Sequence, residues 1–250
     1  VGVVGSGQMG NGIAQVAACC GMEVTMVDIK QEYLDRGVSA ISNSLEKLVS
    51  KERMSREDAD SAFSRIDSSV ELASLSDCDL VVEAIPEVPD LKFSTFSKLD
   101  SICKPQAILA SNTSSISINE IAMHTNRADR VIGMHFMNPV PIMKLVEIIN
   151  GSETSEEVTS QVVSASEEMG KTPLSCRDSP GFVSNRILMP MINEAILTLQ
   201  EGVAEPEAID GIMKLGMNHP IGPLALADLL GLDSVLHTMH VLEEGNGSDR

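Results

Sequence analysis

Short apolar runs alternate along the chain with longer segments in which apolar residues recur every three or four positions. The short runs predict β-strands, because they are rich in Val, Ile and Leu and are bounded by turn residues. The longer segments predict amphipathic helices; after Asp28, for example, Leu34, Val38 and Ile41 follow one another at steps of four and three. Repeated alternation of strand and helix is typical of a mostly parallel sheet covered by helices on both faces. The predicted strands are Val1–Val4, Glu23–Val27, Leu80–Ala84, Ala107–Ala110, Val131–His135, Leu145–Ile149 and Thr172–Cys176.

The alternation of strands and helices stops near residue 180. After the segment Asp178-Ser179-Pro180-Gly181, the pattern predicts helices and turns and indicates no further strand. We therefore predict an α/β domain with a mostly parallel sheet over residues 1–179. A smaller all-helical domain is predicted to follow over residues 180–250.

A glycine-rich turn joins the first predicted strand to the first predicted helix. Its sequence, Gly5-Ser6-Gly7-Gln8-Met9-Gly10, has the G-x-G-x-x-G spacing that lets a pyrophosphate approach the backbone at a helix N-terminus. The second strand ends at Asp28, 18 residues after Gly10, where a carboxylate can bond the adenosine ribose hydroxyls. Together these features predict a Rossmann-type dinucleotide site. The charge of Asp28 favours NAD over NADP, although Lys30 lies close by.

The composition narrows the classes of function. Acidic side chains outnumber basic ones, 36 to 18, and the net charge of −18 works against non-specific binding to nucleic acid, which needs a basic surface. No apolar run reaches the roughly 18–20 residues that cross a bilayer, so we expect a soluble protein without a membrane segment. The five cysteines show neither a Cys-x-x-Cys pair nor zinc-ligand spacing, which favours reduced thiols, an intracellular compartment and no bound metal.

Polar residues follow several predicted strands, at the carboxyl ends where open α/β sheets place their chemistry. His135 ends one strand, and an imidazole is suited to take the hydroxyl proton when a hydride leaves an alcohol. Glu147 on the next strand could bond the other imidazole nitrogen and fix its tautomer. Ser114 and Asn185 are polar groups suited to bind the reacting oxygen. Each residue alone could be structural, and it is the combination that predicts NAD-dependent oxidation of an alcohol.

Several stretches of the sequence carry a resemblance to a known family. The chain resembles the L-3-hydroxyacyl-CoA dehydrogenases over essentially its whole length, and most closely the monofunctional 3-hydroxybutyryl-CoA members. In combination these motifs are highly specific. They are Val82-Glu83-Ala84-Ile85-x-Glu87, Ala110-Ser111-Asn112-Thr113-Ser114-Ser115, Gly133-Met134-His135-Phe136-Met137-Asn138-Pro139-Val140-Pro141-Ile142-Met143-Lys144-Leu145-Val146-Glu147, Pro180-Gly181-Phe182-Val183-x-Asn185-Arg186 and His219-Pro220-x-Gly222-Pro223.

The resemblance implies reversible, NAD-dependent oxidation of an (S)-3-hydroxyacyl-CoA to the 3-ketoacyl-CoA, as in fatty-acid β-oxidation, with a short-chain substrate expected. It implies that His135 is the general acid and base and that Glu147 is its partner. Ser114 and Asn185 are implied to contact the substrate 3-oxygen. A homodimer is expected, with contacts from the helical domain, which also forms one wall of the substrate cleft. With the glycine-rich turn included, the expected cofactor-binding residues are Gly5, Gly7, Gln8, Met9, Gly10, Asp28, Glu87, Lys92, Asn112 and Asn138.

The sequence departs from the family pattern in two places. Pro86 and Pro89 flank Glu87 where the family carries fewer prolines, so the shape of this loop does not follow from the resemblance. The family also continues past residue 250 with a basic tail, and the first residue here already lies in an apolar strand. We therefore expect the sequence to be trimmed at both ends, which leaves the cytoplasm, the mitochondrion and the peroxisome open as compartments.

Two other functions stay open from the sequence. A β-hydroxyacid dehydrogenase of the 3-hydroxyisobutyrate or 6-phosphogluconate type also begins with a G-x-G-x-x-G domain and ends in helices, but those families use a catalytic lysine. Lys171 and Lys214 are the lysines that follow Lys144, and neither lies in the motif expected for that role. A non-catalytic NAD-binding protein is the other alternative. Loss of the four candidate catalytic residues would favour it, and all four are present.

Overall fold

The apolar runs form neighbouring strands of one sheet in a computed structural model that describes residues 1–246 of the chain. The chain divides into two units, Val1–Asp178 and Ser179–Arg250, and the sheet belongs to the first. Its strands are β1 Gly2–Val4, β2 Val24–Val27, β3 Ile66–Ser69, β4 Leu80–Glu83, β5 Ile108–Ser111, β6 Val131–Phe136, β7 Leu145–Asn150 and β8 Thr172–Arg177. Their spatial order is β3-β2-β1-β4-β5-β6-β7-β8, so the chain reverses direction across the sheet beside β1, as in dinucleotide-binding folds.

One pair of neighbouring strands breaks the parallel pattern of this sheet. All the other neighbours are parallel, whereas β6 and β7 are antiparallel. Residues 137–144 connect these two strands, and such a short connection cannot hold the crossover helix that a parallel pair requires. The mostly parallel sheet predicted from the sequence is confirmed, and the antiparallel step sets which side chains of β6 and β7 face each other.

The strand β3 was not among the predicted ones. Its sequence is Ile66-Asp67-Ser68-Ser69, and it pairs with β2 at one edge of the sheet. An edge strand has a single neighbour and does not need apolar side chains on both faces. Because β3 is polar, the pattern of apolar runs does not predict it.

Helices cover the sheet of the first unit, and serine side chains begin several of them. Ser55 and Ser155 accept hydrogen bonds from backbone amides three residues further on, at 3.0 Å from Asp58 and 3.2 Å from Val158. The buried residues Leu34, Ile41 and Leu45 form one face of the longest of these helices. The helices are α1 Gln8–Cys19, α2 Gln31–Ser50, α3 Arg56–Ser64, α4 Pro89–Ile102, α5 Ile118–Ala122 and α6 Glu156–Glu168.

The glycine-rich turn is shaped by contacts too close for side chains. A Cβ built at Gly10 would lie 1.8 Å from the Gly5 carbonyl oxygen, so only glycine lets α1 begin this near to the end of β1. Gly5 itself has a positive φ of 99°. The backbone geometry of this turn therefore requires glycine at these two positions.

The second unit contains helices and turns over its described residues, as the sequence predicts. Its core is apolar and includes Met189, Ile192, Ala227 and Val235. Across residues 1–246, no helix is both long enough and apolar enough to cross a membrane. The helices of this unit are α7 Ser184–Gln200, α8 Pro206–Gly216, α9 Pro223–Leu230 and α10 Leu232–Asn246.

Candidate active site

The glycine-rich turn borders a cavity of about 1200 Å³ at the carboxyl ends of β1, β2 and β4. Gly5, Gly7, Gln8 and Met9 line it, whereas Gly10 packs against the backbone of the turn. Gly7 precedes the first residue of α1, and a Cβ built on it would meet nothing within 4 Å. The backbone amides at this helix N-terminus are therefore approachable from the cavity, which fits the pyrophosphate of a dinucleotide.

Asp28 lies on the wall of the same cavity, directly after β2. Its Oδ2 accepts hydrogen bonds from the Ser6 amide at 2.7 Å and the Ser6 hydroxyl at 2.8 Å, and its Oδ1 accepts one from the Ile29 amide at 2.7 Å. These bonds fix the carboxylate between the glycine-rich turn and the end of β2. A fixed negative charge at this position suits ribose hydroxyls and opposes a phosphate.

His135 and Glu147 stand directly opposite each other on β6 and β7. The antiparallel pairing places both side chains on the same face of the sheet, and His135 Nδ1 lies 2.8 Å from Glu147 Oε2. Both residues are buried. An ionised carboxylate can only accept, so Nδ1 carries the proton of this bond and Nε2 is the nitrogen that can take up another.

A fully buried ion pair lies beneath the loops at the ends of β4 and β5. Lys92 of α4 donates from Nζ to Glu83 Oε1 at 2.6 Å, and it also lies 3.2 Å from Glu87 Oε2. The side chains of Lys92 and Glu83 are 1% and 0% exposed. Ser111 at the end of β5 donates to the other oxygen of Glu83 at 2.7 Å. The pair therefore ties β4, β5 and α4 together.

Glu87 organises the loop that follows β5. Its Oε1 accepts hydrogen bonds from the Ser114 amide at 2.9 Å, the Ser115 amide at 3.0 Å and the Ser115 and Thr113 hydroxyls. Burial raises the pKa of Glu87, but the Lys92 ammonium and these donors outweigh it and hold the pKa below its ordinary value. The ionised carboxylate thus holds the backbone that carries Ser114.

The sequence analysis included Glu83 in a family motif but assigned it no role, although its position carries a signal. An acidic residue at the end of an apolar strand, with every strand position buried, requires a cationic partner. The neighbouring prolines do not disturb this arrangement. Pro89 occupies the first position of α4, where its missing N–H leaves no intrahelical hydrogen bond unmade, and Pro86 is exposed.

Two of the predicted asparagines lie beside the strand that carries His135. Asn112 Oδ1 accepts a hydrogen bond from the Phe136 amide at 2.9 Å. Asn138 Oδ1 accepts one from Gln8 Nε2 at 3.0 Å, which links the segment after β6 to the first residue of α1. Asn138 therefore links the dinucleotide loop to the segment after β6, whereas Asn112 links the end of β5 to β6.

The fourth candidate catalytic residue lies in the second unit. Asn185 is partly buried and belongs to the first turn of α7. Its expected contact with the substrate stays a prediction. Lys171, the lysine that the β-hydroxyacid alternative would need, is buried and donates from Nζ to backbone carbonyls.

The fold and this site define a class of protein. A Rossmann-type sheet, a glycine-rich turn, a carboxylate after β2 and a buried His–Glu pair are together the features of a nicotinamide-dependent dehydrogenase. Residues 1–179 match the sequence profile of the 3-hydroxyacyl-CoA dehydrogenase NAD binding domain, and residues 181–250 match that of the C-terminal domain. The chain belongs to the 3-hydroxyacyl-CoA dehydrogenase family, whose members are NAD-dependent oxidoreductases.

Relatives of similar length agree with this assignment. The chain is 57% identical over 249 residues to a probable 3-hydroxybutyryl-CoA dehydrogenase of Deinococcus radiodurans, covering 100% of this chain and 89% of the relative. A 3-hydroxybutyryl-CoA dehydrogenase of Bradyrhizobium diazoefficiens is 49% identical, with 98% and 84% covered. The crystal structure of (S)-3-hydroxybutyryl-CoA dehydrogenase from Ralstonia eutropha superposes with a TM-score of 0.96 at 51% identity, covering 98% of this chain and 86% of that one. Family membership decides against the β-hydroxyacid alternative.

Proposed function

We propose that this chain oxidises short-chain (S)-3-hydroxyacyl-CoA, with 3-hydroxybutyryl-CoA as its preferred substrate. The observation that carries the proposal is the buried His135–Glu147 pair at 2.8 Å, in a sheet whose strands β1, β2 and β4 border a dinucleotide cavity. The short chain length is supported by the relatives, which are named for the four-carbon substrate.

The roles of the residues follow from their chemistry. Neutral His135 takes the proton of the 3-hydroxyl on Nε2 as the carbonyl forms, and in reduction the imidazolium returns it. Glu147 holds the ring through Nδ1 and stabilises its positive charge. Bound NAD supplies the hydride acceptor. The Ser114 hydroxyl, on the loop held by Glu87, donates to the 3-oxygen when that oxygen carries negative charge. The role of Asn185 rests on its family motif alone.

Chain-length preference tests this proposal. With NADH as donor, reduction of 3-ketoacyl-CoA thioesters should be fastest for acetoacetyl-CoA, and kcat/KM should fall as the acyl chain lengthens. Replacing NADH by NADPH should lower kcat/KM strongly, because Asp28 opposes a 2′-phosphate. A higher kcat/KM for long-chain thioesters would refute the short-chain preference, whereas no turnover of any chain length would refute the function.

We also propose that the protein is a homodimer through its helical unit. Helix α8 buries Ile209 but leaves Ile212 at 61% and Leu215 at 90% exposure. Further large apolar side chains on the same unit are also exposed, among them Ile187, Met217, Leu229 and Leu236. Several large exposed apolar residues on one small unit are typical of an interaction surface rather than of a free one.

Charges on α8 should therefore dissociate the dimer. The variant Ile212→Lys/Leu215→Lys places like charges on an apolar surface that meets a second copy, so sedimentation velocity at micromolar concentration should change from dimer to monomer. Met123→Lys is a matched control, since Met123 is 75% exposed but lies in the first unit. A wild-type monomer, or a double variant that still sediments as a dimer, would refute this interface.

The cysteines agree with an intracellular compartment. All five are free thiols, and burial raises the pKa of Cys19 and of Cys176 to about 11. Thiols with a raised pKa carry little reactive thiolate near neutral pH. We propose a reducing compartment, which cytoplasm and an organelle matrix both provide.

A further inference from the structure

Lys171 is a buried cation whose ammonium group donates hydrogen bonds to backbone carbonyls. It immediately precedes β8, is 9% exposed, and donates from Nζ to the carbonyls of Val140 and of Met143, the second at 3.0 Å. Within residues 1–246 it makes no salt bridge. Burial lowers the pKa of its ammonium group. Removing an ammonium group from water is energetically unfavourable. Its burial here indicates that the loop needs a strong hydrogen-bond donor at this position.

The two carbonyls belong to a compact turn between β6 and β7. The amides of Ile142 and Met143 both donate to the Pro139 carbonyl at 3.0 Å, which closes the turn on itself. Those bonds leave the carbonyls of Val140 and Met143 to another donor, and Lys171 supplies it. The Lys171 side chain therefore holds the turn by hydrogen bonds from the residue that precedes β8.

The same turn also packs against α1. Val140 is 2% exposed, and a Cβ built at Gly12 of α1 would lie only 2.8 Å from the Val140 Cβ. Only glycine at position 12 lets the turn pack this closely on the helix. Asn138, at the start of the same segment, bonds Gln8 at the beginning of α1. The segment thus joins the dinucleotide helix to the strand that ends just after His135.

We propose that Lys171 is a positioning residue for hydride transfer, because it presses the segment Asn138–Met143 against α1 and so sets the cofactor end of the cavity relative to His135. This inference rests on the proposed function of His135. Reacting atoms must be held within a narrow range of distance and angle, and a displacement of about 1 Å can cost a hundredfold in rate. Lys171 acts through the loop and does not itself touch the reacting atoms.

The test is a kinetic comparison of Lys171→Met with wild type. Methionine keeps a long apolar stem but removes the donors, so kcat for (S)-3-hydroxybutyryl-CoA should fall by about tenfold to a hundredfold. The KM for the thioester should stay within about twofold of the wild-type value, and Lys171→Arg should recover much of the loss, because it restores a charged donor. The deuterium isotope effect on kcat with 3-deuterated substrate should be at least as large as in wild type, because the hydride step becomes the slow one.

Val162→Ala is the control for lost stability alone. Val162 is fully buried in α6 and lies outside the hydrogen bonds that hold the turn, so this variant should lower Tm with kcat close to wild type. If Lys171→Met does not fold, Gly12→Ala perturbs the turn through its contact with Val140 and should give the same kinetic signature.

Two outcomes overturn the inference. One is a folded Lys171→Met enzyme with wild-type kcat, whatever its Tm. The other is a lower kcat accompanied by a smaller isotope effect, which would mean that a step other than hydride transfer has slowed. If the wild-type protein does not turn over any 3-hydroxyacyl-CoA, the proposed function has failed rather than the role of Lys171.

Discussion

Replacing Glu147 with glutamine should lower kcat for 3-hydroxyacyl-CoA oxidation by about a hundredfold to ten-thousandfold, the range seen when the carboxylate partner of a catalytic histidine is lost. Glutamine keeps the shape of the side chain but removes the charge that faces His135 Nδ1 at 2.8 Å. Its amide can also donate to Nδ1 and so favour the wrong tautomer. Because an enzyme cannot change the equilibrium constant, the loss should appear equally in the reduction direction if the KM values do not change.

The affinity for NAD distinguishes a specific loss of catalysis from a general disturbance of the structure. The affinity for NAD should be close to wild type in Glu147→Gln, because Asp28 and the turn at Gly5–Gly10 are untouched. Glu153→Gln makes the same chemical change at an exposed position and should leave kcat unaffected. A Glu147→Gln enzyme with wild-type kcat would leave His135 without its proposed partner.

Lys92→Met should cause the largest loss of stability, about 3–5 kcal/mol in the free energy of unfolding, because it leaves a buried carboxylate without its cation. Glu83 is 0% exposed and receives a 2.6 Å bond from Lys92 Nζ. Urea unfolding followed by circular dichroism measures this loss. The exposed Lys104–Asp79 pair offers a matched control, and Lys104→Met should change the unfolding free energy far less.

The double variant Glu83→Gln/Lys92→Met shows whether the stranded charge is the cause. Removing the carboxylate together with the lysine should recover part of the stability lost in Lys92→Met, since no unpaired ion stays buried at Glu83. A double variant that is less stable than Lys92→Met would contradict this explanation. It would indicate that packing around α4, rather than charge, dominates the loss.

The strands and helices could be predicted because their signals are local. Most strands are apolar runs, and serine, which favours helix N-termini, stands at positions 55 and 155 where two helices begin. The edge strand β3 could not be found in the same way, since its four residues carry no apolar run. The antiparallel step between β6 and β7 follows from the short connection between them. The length of a connection does not enter when each strand is predicted separately from its own residues.

The candidate site could be predicted from the sequence where a residue type has few chemical roles. A histidine at a strand end and a glutamate on the next strand suggested a pair, and the register of β6 and β7 explains why they meet. The supporting contacts were not predictable, because they depend on three-dimensional proximity. The association of Glu87 with the cofactor stays a prediction, and the sequence did not show that its carboxylate holds the loop of Ser114 or that Lys171 bonds to backbone carbonyls.

The most direct test of the central claim is NADH formation from (S)-3-hydroxybutyryl-CoA and NAD by the wild-type protein, followed by absorbance with the (R) enantiomer as the control. The His135–Glu147 pair and the dinucleotide cavity predict steady turnover of the (S) thioester, at a rate that Glu147→Gln sharply reduces. The proposed preference for the (S) substrate predicts little turnover of the (R) thioester. A folded protein that binds NAD but forms no NADH from the (S) thioester would contradict the account.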